Sequence, residues 1–202
     1  MCTPTTLIVP GLHGSGTDHW QAWWQIDDRS AVLVEQDDWS NPDADRWLAR
    51  LEEAISAHPN ALIVAHSLGS ILTARLAGSR LAHLVAGALL VAPADINRTS
   101  DLHSRTYDFG EMPHERLPFP SLVVASRNDA YMSYDKLRDL AVEWGSPIHD
   151  IGYVGHINVA SGFGRWPAGY ELAHRVRDRS LGQPTRSPAE AIRGDKACTV
   201  HL

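Results

Sequence analysis

The sequence predicts an α/β fold of about six mainly parallel strands with helices on both faces. Three observations carry this expectation. Short apolar runs, each stopped by glycine, proline or a polar turn, recur along the chain. Segments with helical spacing separate them, and such alternation favours a parallel sheet covered on both sides. The run Val85 to Ala92 is apolar at nearly every position, as a central strand buried on both faces requires.

In chain order, Thr5 to Val9 reads as a buried strand halted by Pro10-Gly11. The loop that follows is glycine-rich, but glycines at 11, 14 and 16 with Thr17 next fit neither dinucleotide nor P-loop spacing. Its other use is to aim backbone N–H groups at a developing oxyanion. Asp18 to Ile26 places Trp20 and Trp24 on one helical face, to pack on the sheet. Ala31 to Val34 gives a second strand. Asn41 is then expected to cap a helix with Pro42 in its first position, and Trp47, Leu51, Ala54, Ile55 and His58 on its inner face. His58, on the last turn, suits the negative end of the dipole.

Ala61 to His66 supplies strand three, and Leu68 to about Ser79 a helix. After the central strand, Pro93 to Pro120 shows no sustained period, which predicts a long loop over a site. Leu122 to Ser126, a helix from Tyr134 to Trp144, a weak strand over Pro147 to Tyr153 and a helix from Trp166 to about Leu181 complete a single domain over 1–181. Residues 182–202 turn to Gly, Pro, Ser, Thr and charge, the composition of a flexible tail. No internal repeat is found.

The totals narrow the function classes. At 202 residues, 44% hydrophobic and 21% charged, the chain has the composition of one soluble globular domain. A net charge of −6 without a basic run argues against nucleic acid or an anionic membrane as partner. Cys2 and Cys198 are too few for a disulfide framework, and no signal-peptide or membrane-length run is seen, so a cytoplasmic location is expected. The oligomeric state is not legible.

The chemistry centres on Ala65-His66-Ser67-Leu68-Gly69, a strand-to-helix serine turn of the G-x-S-x-G kind with alanine in the first place. Taken alone, Ser67 also suits a helix N-cap. Asp129 and His156 each follow a later strand, in the chain order serine, acid, histidine. A serine hydroxyl needs a base within reach, and the base needs a carboxylate to fix its tautomer. Asp95, after strand four, is a competing acid. The backbone N–H groups of Leu68 and Leu12 are the expected oxyanion donors. His13, His19 and His66 can also face the site, which raises a metal question, but no ligand spacing supports a metal and no cofactor is needed.

These residues resemble the small serine hydrolases of the retinoblastoma-binding protein 9 / YdeN type, within the α/β-hydrolase superfamily. The resemblance is carried by Val9-Pro10-Gly11, Asp38-Trp39-Ser40-Asn41-Pro42 with Trp47, Val64 to Gly69, Leu117 to Pro120, Ala125 to Asp129, and Gly155 to Pro167, a span of roughly residues 6 to 180. It implies a compact α/β-hydrolase core and a triad at Ser67, Asp129 and His156. A serine hydrolase of small carboxylic esters is the expectation, its substrate a small-molecule ester or amide. An amidase or aminopeptidase-like hydrolase, and a binding or regulatory protein on a hydrolase scaffold, are the alternatives. Selectivity is expected from Pro93 to Pro120 and from the tryptophans at 20 to 24, and the absence of a large lid domain favours short acyl chains.

Overall fold

The computed structural model describes residues 5–181. Cys2, Cys198 and the expected tail from Gly182 lie outside them. Strands β1 (Thr6–Val9), β2 (Ala31–Leu33), β3 (Ala61–His66), β4 (Val85–Val91), β5 (Ser121–Ala125) and β6 (Ile148–Asp150) form one sheet in the order β2-β1-β3-β4-β5-β6. Every neighbouring pair is parallel. The winding therefore reverses between β1 and β3, and a crevice opens beyond their C-terminal ends.

Period-two alternation divides the central strands between two cores. Ile63 and Ala65 of β3 and Ala88 and Leu90 of β4 face one cluster, with Trp47, Leu51 and Ile55 of α2 (Ala44–Ala57), Ile71 of α3 (Leu68–Ala74) and Leu137, Leu140 and Trp144 of α5 (Tyr134–Trp144). Leu62, Val64, Leu89 and Val91 face the other, with Trp20 and Trp24 of α1 (Trp20–Asp27) and Leu172, Ala173 and Val176 of α6 (Pro167–Leu181). Both faces are thus covered, which is why β3 and β4 carry no polar face.

Local expectations are corrected in three places. The α2 cap is Asp43, whose carboxylate accepts the Arg46 N–H at 2.9 Å, and not Asn41. Asn41 is held in a turn by Asp38, and Asp43 bridges to Asp108, so the chain stays extended past Pro42. The segment Pro93 to Pro120 is not a loose cover: it contains α4 (Ile96–His103), capped by Asp95. The rest is pinned, with Phe109, Leu117 and Phe119 in the core and the Pro113 carbonyl accepting the Trp144 indole N–H at 2.8 Å. The third helix is shorter than expected, α3 giving way to a 3-10 turn over Arg75–Gly78.

Candidate active site

β3 ends at His66 and α3 starts at Leu68, leaving Ser67 alone to reverse the chain. It does so at φ 56° and ψ −125°, a left-handed conformation that side chains disfavour. Small neighbours permit the turn. A Cβ on Gly69 would lie 2.3 Å from the Val9 carbonyl oxygen and 2.4 Å from that of Pro10, and one on Gly11 would lie 2.7 Å from Ser67 Cβ. The loop after β1 therefore meets the serine turn backbone to backbone. Gly69→Ala is expected to force them apart, lowering Tm by about 2–12 °C, from an overpacking cost of about 1–3 kcal/mol. Thermal unfolding checks this; an unchanged Tm contradicts the close approach.

Ser67 Oγ lies 2.9 Å from His156 Nε2. His156 Nδ1 lies 2.8 Å from Asp129 Oδ2 and 3.0 Å from Oδ1, and the Asp129 and His156 side chains are 4% and 9% exposed. A carboxylate only accepts, so Nδ1 carries the imidazole proton and Nε2 is left to accept from the serine. Asp129 Oδ1 also accepts the Tyr131 N–H at 2.8 Å. Asp95, the competing acid, accepts the Asn97 and Arg98 N–H groups at the start of α4 and pairs with Lys136. Neither a hydrogen bond nor an ion pair joins it to His156.

Several polar groups lock the histidine loop. Asn128 Oδ1 accepts the Gly155 N–H at 2.8 Å, Ser126 Oγ that of Val154 at 3.1 Å, and Ser161 Oγ that of His156 at 3.0 Å. His66 donates its Nε2–H to the His156 carbonyl at 2.9 Å, and the Tyr131 ring stacks on His156 with centroids 4.2 Å apart. Gln21, fully buried, donates to the Val9 and Val64 carbonyls at 3.3 and 3.1 Å and accepts from Ser15 at 2.7 Å, tying the glycine loop to the strand ends. Around Leu12, the His13 N–H donates to the Trp39 carbonyl and that of Gly14 to Gly11. The Leu12 N–H has no acceptor among the described residues, and Leu68, first in α3, has none within its helix.

Ser67 and His156 open on a cavity of about 260 Å³ whose walls include Leu12, His13, His103 and Tyr131. A larger cavity of about 480 Å³ lies where β1 and β3 begin, lined by Thr6, Leu62 and Arg177, away from these groups. Among the described residues no group of three or more His, Cys, Asp or Glu side chains is placed to hold a metal.

Residues 6–175 match the sequence profile of a family described as serine hydrolase. The chain belongs to the serine hydrolase family. It is similar to a YdeN-like hydrolase from Pectobacterium atrosepticum, with a TM-score of 0.72 and 30% identity over 88% of this chain and 90% of that one. Its similarity to YdeN from Bacillus subtilis is 24% identity over 179 residues, covering 84% of this chain and 94% of the relative. The crystal structure of the latter gives a TM-score of 0.69 at 22% identity, over 87% of this chain and 100% of that one. Est1E from Butyrivibrio proteoclasticus, bound to ferulic acid, shares the fold at a TM-score of 0.61 and 12% identity, over 90% and 89% of the two chains. The chain has the fold of these hydrolases, a six-stranded parallel sheet covered by helices.

In this serine hydrolase the expected selectivity segments divide. Thr99 and His103 of α4 line the cavity, whereas Trp20, Trp23 and Trp24 do not: Trp20 and Trp24 are buried in the core, and Arg165 packs over Trp23. His13, His19 and His66 all reach the cavity wall, as the sequence allowed. The clasp made by Ser126, Asn128 and Ser161 was not anticipated, although Ser126 and Asn128 flank the acid turn within the segments that carry the family resemblance. No helix among the described residues is long and apolar enough to cross a membrane.

Burial, then the nearby His156, pushes His19 down to about 4. Burial, then His156 and His19, holds His66 well below the ordinary imidazole range. Unfolding frees both to take up protons near the ordinary imidazole value of 6.5, so the unfolded state binds more protons below that pH. Stability conferred by the neutral rings is therefore full above about pH 6.5 and falls as pH drops towards 4. Thermal unfolding across this window is expected to show a decline that is shallower in His19→Asn; parallel profiles would contradict the assignment.

Proposed function

We propose that the protein hydrolyses small carboxylic esters, with Ser67 as nucleophile, His156 as acid–base group and Asp129 as its orienting carboxylate. The observation that carries this reading is the continuous chain from Ser67 Oγ through the His156 ring to the buried Asp129, at 2.9 and 2.8 Å. Ser67 Oγ attacks the acyl carbon as its proton passes to Nε2, and the carbonyl oxygen becomes an oxyanion facing the Leu12 and Leu68 N–H groups. Collapse breaks the ester C–O bond, and the proton moves from Nε2 to the departing alkoxide. Water, deprotonated by the same nitrogen, then attacks the acyl-enzyme; the acid leaves and Ser67 regains its proton. No metal or cofactor enters this scheme.

Each backbone oxyanion donor contributes about 10²–10³ in rate. The pair is pre-set by the contact between Gly11 and the serine turn, because a side chain on Gly11 would lie 3.0 Å from the Leu68 nitrogen. The test is labelling by a fluorophosphonate, with the modified peptide identified, alongside hydrolysis of p-nitrophenyl acetate and of its amide counterpart, p-nitroacetanilide. Labelling of Ser67 with ester turnover is expected. Labelling elsewhere sinks the assignment of the nucleophile, amide turnover without ester turnover favours the amidase reading, and labelling without any turnover favours a binding role.

A further inference from the structure

His19 stands just before α1 and caps it, its Nδ1 accepting the Gln21 backbone N–H at 3.2 Å. With Nδ1 committed as an acceptor, the neutral ring carries its proton on Nε2. The residue is 6% exposed, and its ring is wedged beside those of Trp20 and His66. No described group bonds to its Nε2, and its remaining surface belongs to the cavity that holds Ser67 and His156. That N–H is therefore open to the cavity and available to an acceptor oxygen of whatever fills it.

We propose that His19 is a substrate-binding residue, its Nε2–H donated to an acceptor oxygen beyond the scissile carbonyl, so that the site favours short esters carrying an additional oxygen over all-hydrocarbon ones. This rests on the ester reading above. The scissile carbonyl oxygen is taken by the Leu12 and Leu68 N–H groups, which leaves His19 for another atom. The donor is also well fixed, since Gln21 pins the start of α1 to the ends of β1 and β3. Burial and the neighbouring His156 keep the ring neutral, so it donates without competing for the proton that His156 carries. Other groups on the wall are polar as well: Tyr131 and His103 line the same cavity, with Tyr131 Oη 3.3 Å from His103 Nε2. A volume of about 260 Å³ restricts the preference to small esters.

The experiment compares matched esters in which an ether oxygen replaces one methylene: methyl methoxyacetate against methyl butyrate for the acyl side, and 2-methoxyethyl acetate against butyl acetate for the alcohol side. The readout is the ratio of kcat/KM within each pair, from which differences in intrinsic ester reactivity cancel between variants. His19→Asn keeps an acceptor where Nδ1 stands, preserving the helix cap, and removes the donor at Nε2. His19→Gln keeps a donor near Nε2. The ether/alkyl ratio is expected to fall about fivefold to tenfold in His19→Asn in one of the pairs, the discrimination one neutral hydrogen bond supplies, and to be largely restored in His19→Gln. A labelled, ester-active enzyme whose ratio is the same in wild type and His19→Asn for both pairs overturns this inference alone. Wild-type protein that hydrolyses none of the four esters and leaves Ser67 unlabelled overturns the ester reading with it.

Discussion

Ser67→Ala is expected to lower kcat for ester hydrolysis by about 10⁴–10⁶-fold, the range seen when a serine nucleophile is removed and only binding and oxyanion donors remain. The protein should stay folded. Ser67 Oγ makes one side-chain hydrogen bond, to His156 Nε2, and the turn is held by main-chain bonds, with the Ser67 N–H donating to the Val91 carbonyl at 3.0 Å and the Ser70 N–H to the Ser67 carbonyl at 3.0 Å. Alanine keeps these and adds no volume against Gly11. Loss of activity with an unchanged unfolding profile therefore isolates the hydroxyl. A variant that retains more than a hundredth of wild-type kcat would show that some other group attacks the ester.

Much of this was legible because strand composition and topology constrain each other. An apolar run with no polar face, as in Val85 to Ala92, is stable only between two layers of helix, and that placement puts the turns after successive strands on one edge. The order of Ser67, Asp129 and His156 along the chain then sufficed to predict a meeting that spans 89 residues from serine to histidine. What was hidden had weaker periodicity or depended on contacts distant in sequence. Helix α4 has only eight residues and buries only Ile96 and Thr99, too short an apolar face to stand out in the sequence. The α2 cap shifted from Asn41 to Asp43 because a contact with Asp108, 65 residues on, keeps the chain extended. His66 and His19 carried no signal of role: whether an imidazole donates, accepts or caps depends on which carbonyl or N–H folds against it.

The choice between two acids shows how geometry decides where spacing leaves alternatives. Asp129→Asn is expected to reduce kcat by about 10⁴-fold with little change in stability. The amide can still accept the Tyr131 N–H, but it can turn its NH₂ towards His156 Nδ1. Nδ1 would then accept, the ring proton would move to Nε2, and Nε2 would donate to Ser67 where it must take a proton. Tyr131 stacked on the ring keeps His156 from swinging to another partner, so the wrong tautomer is held in place. Asp95→Asn should do the opposite. Asparagine still caps α4, activity stays within about threefold, and loss of the pairing with the half-exposed Lys136 costs only a modest amount of stability. Steady-state kinetics and thermal unfolding of both variants separate these outcomes. Equal losses of kcat in the two would mean that the carboxylate beside His156 is not what sets its tautomer, and the proposed proton path from Ser67 would fail with it.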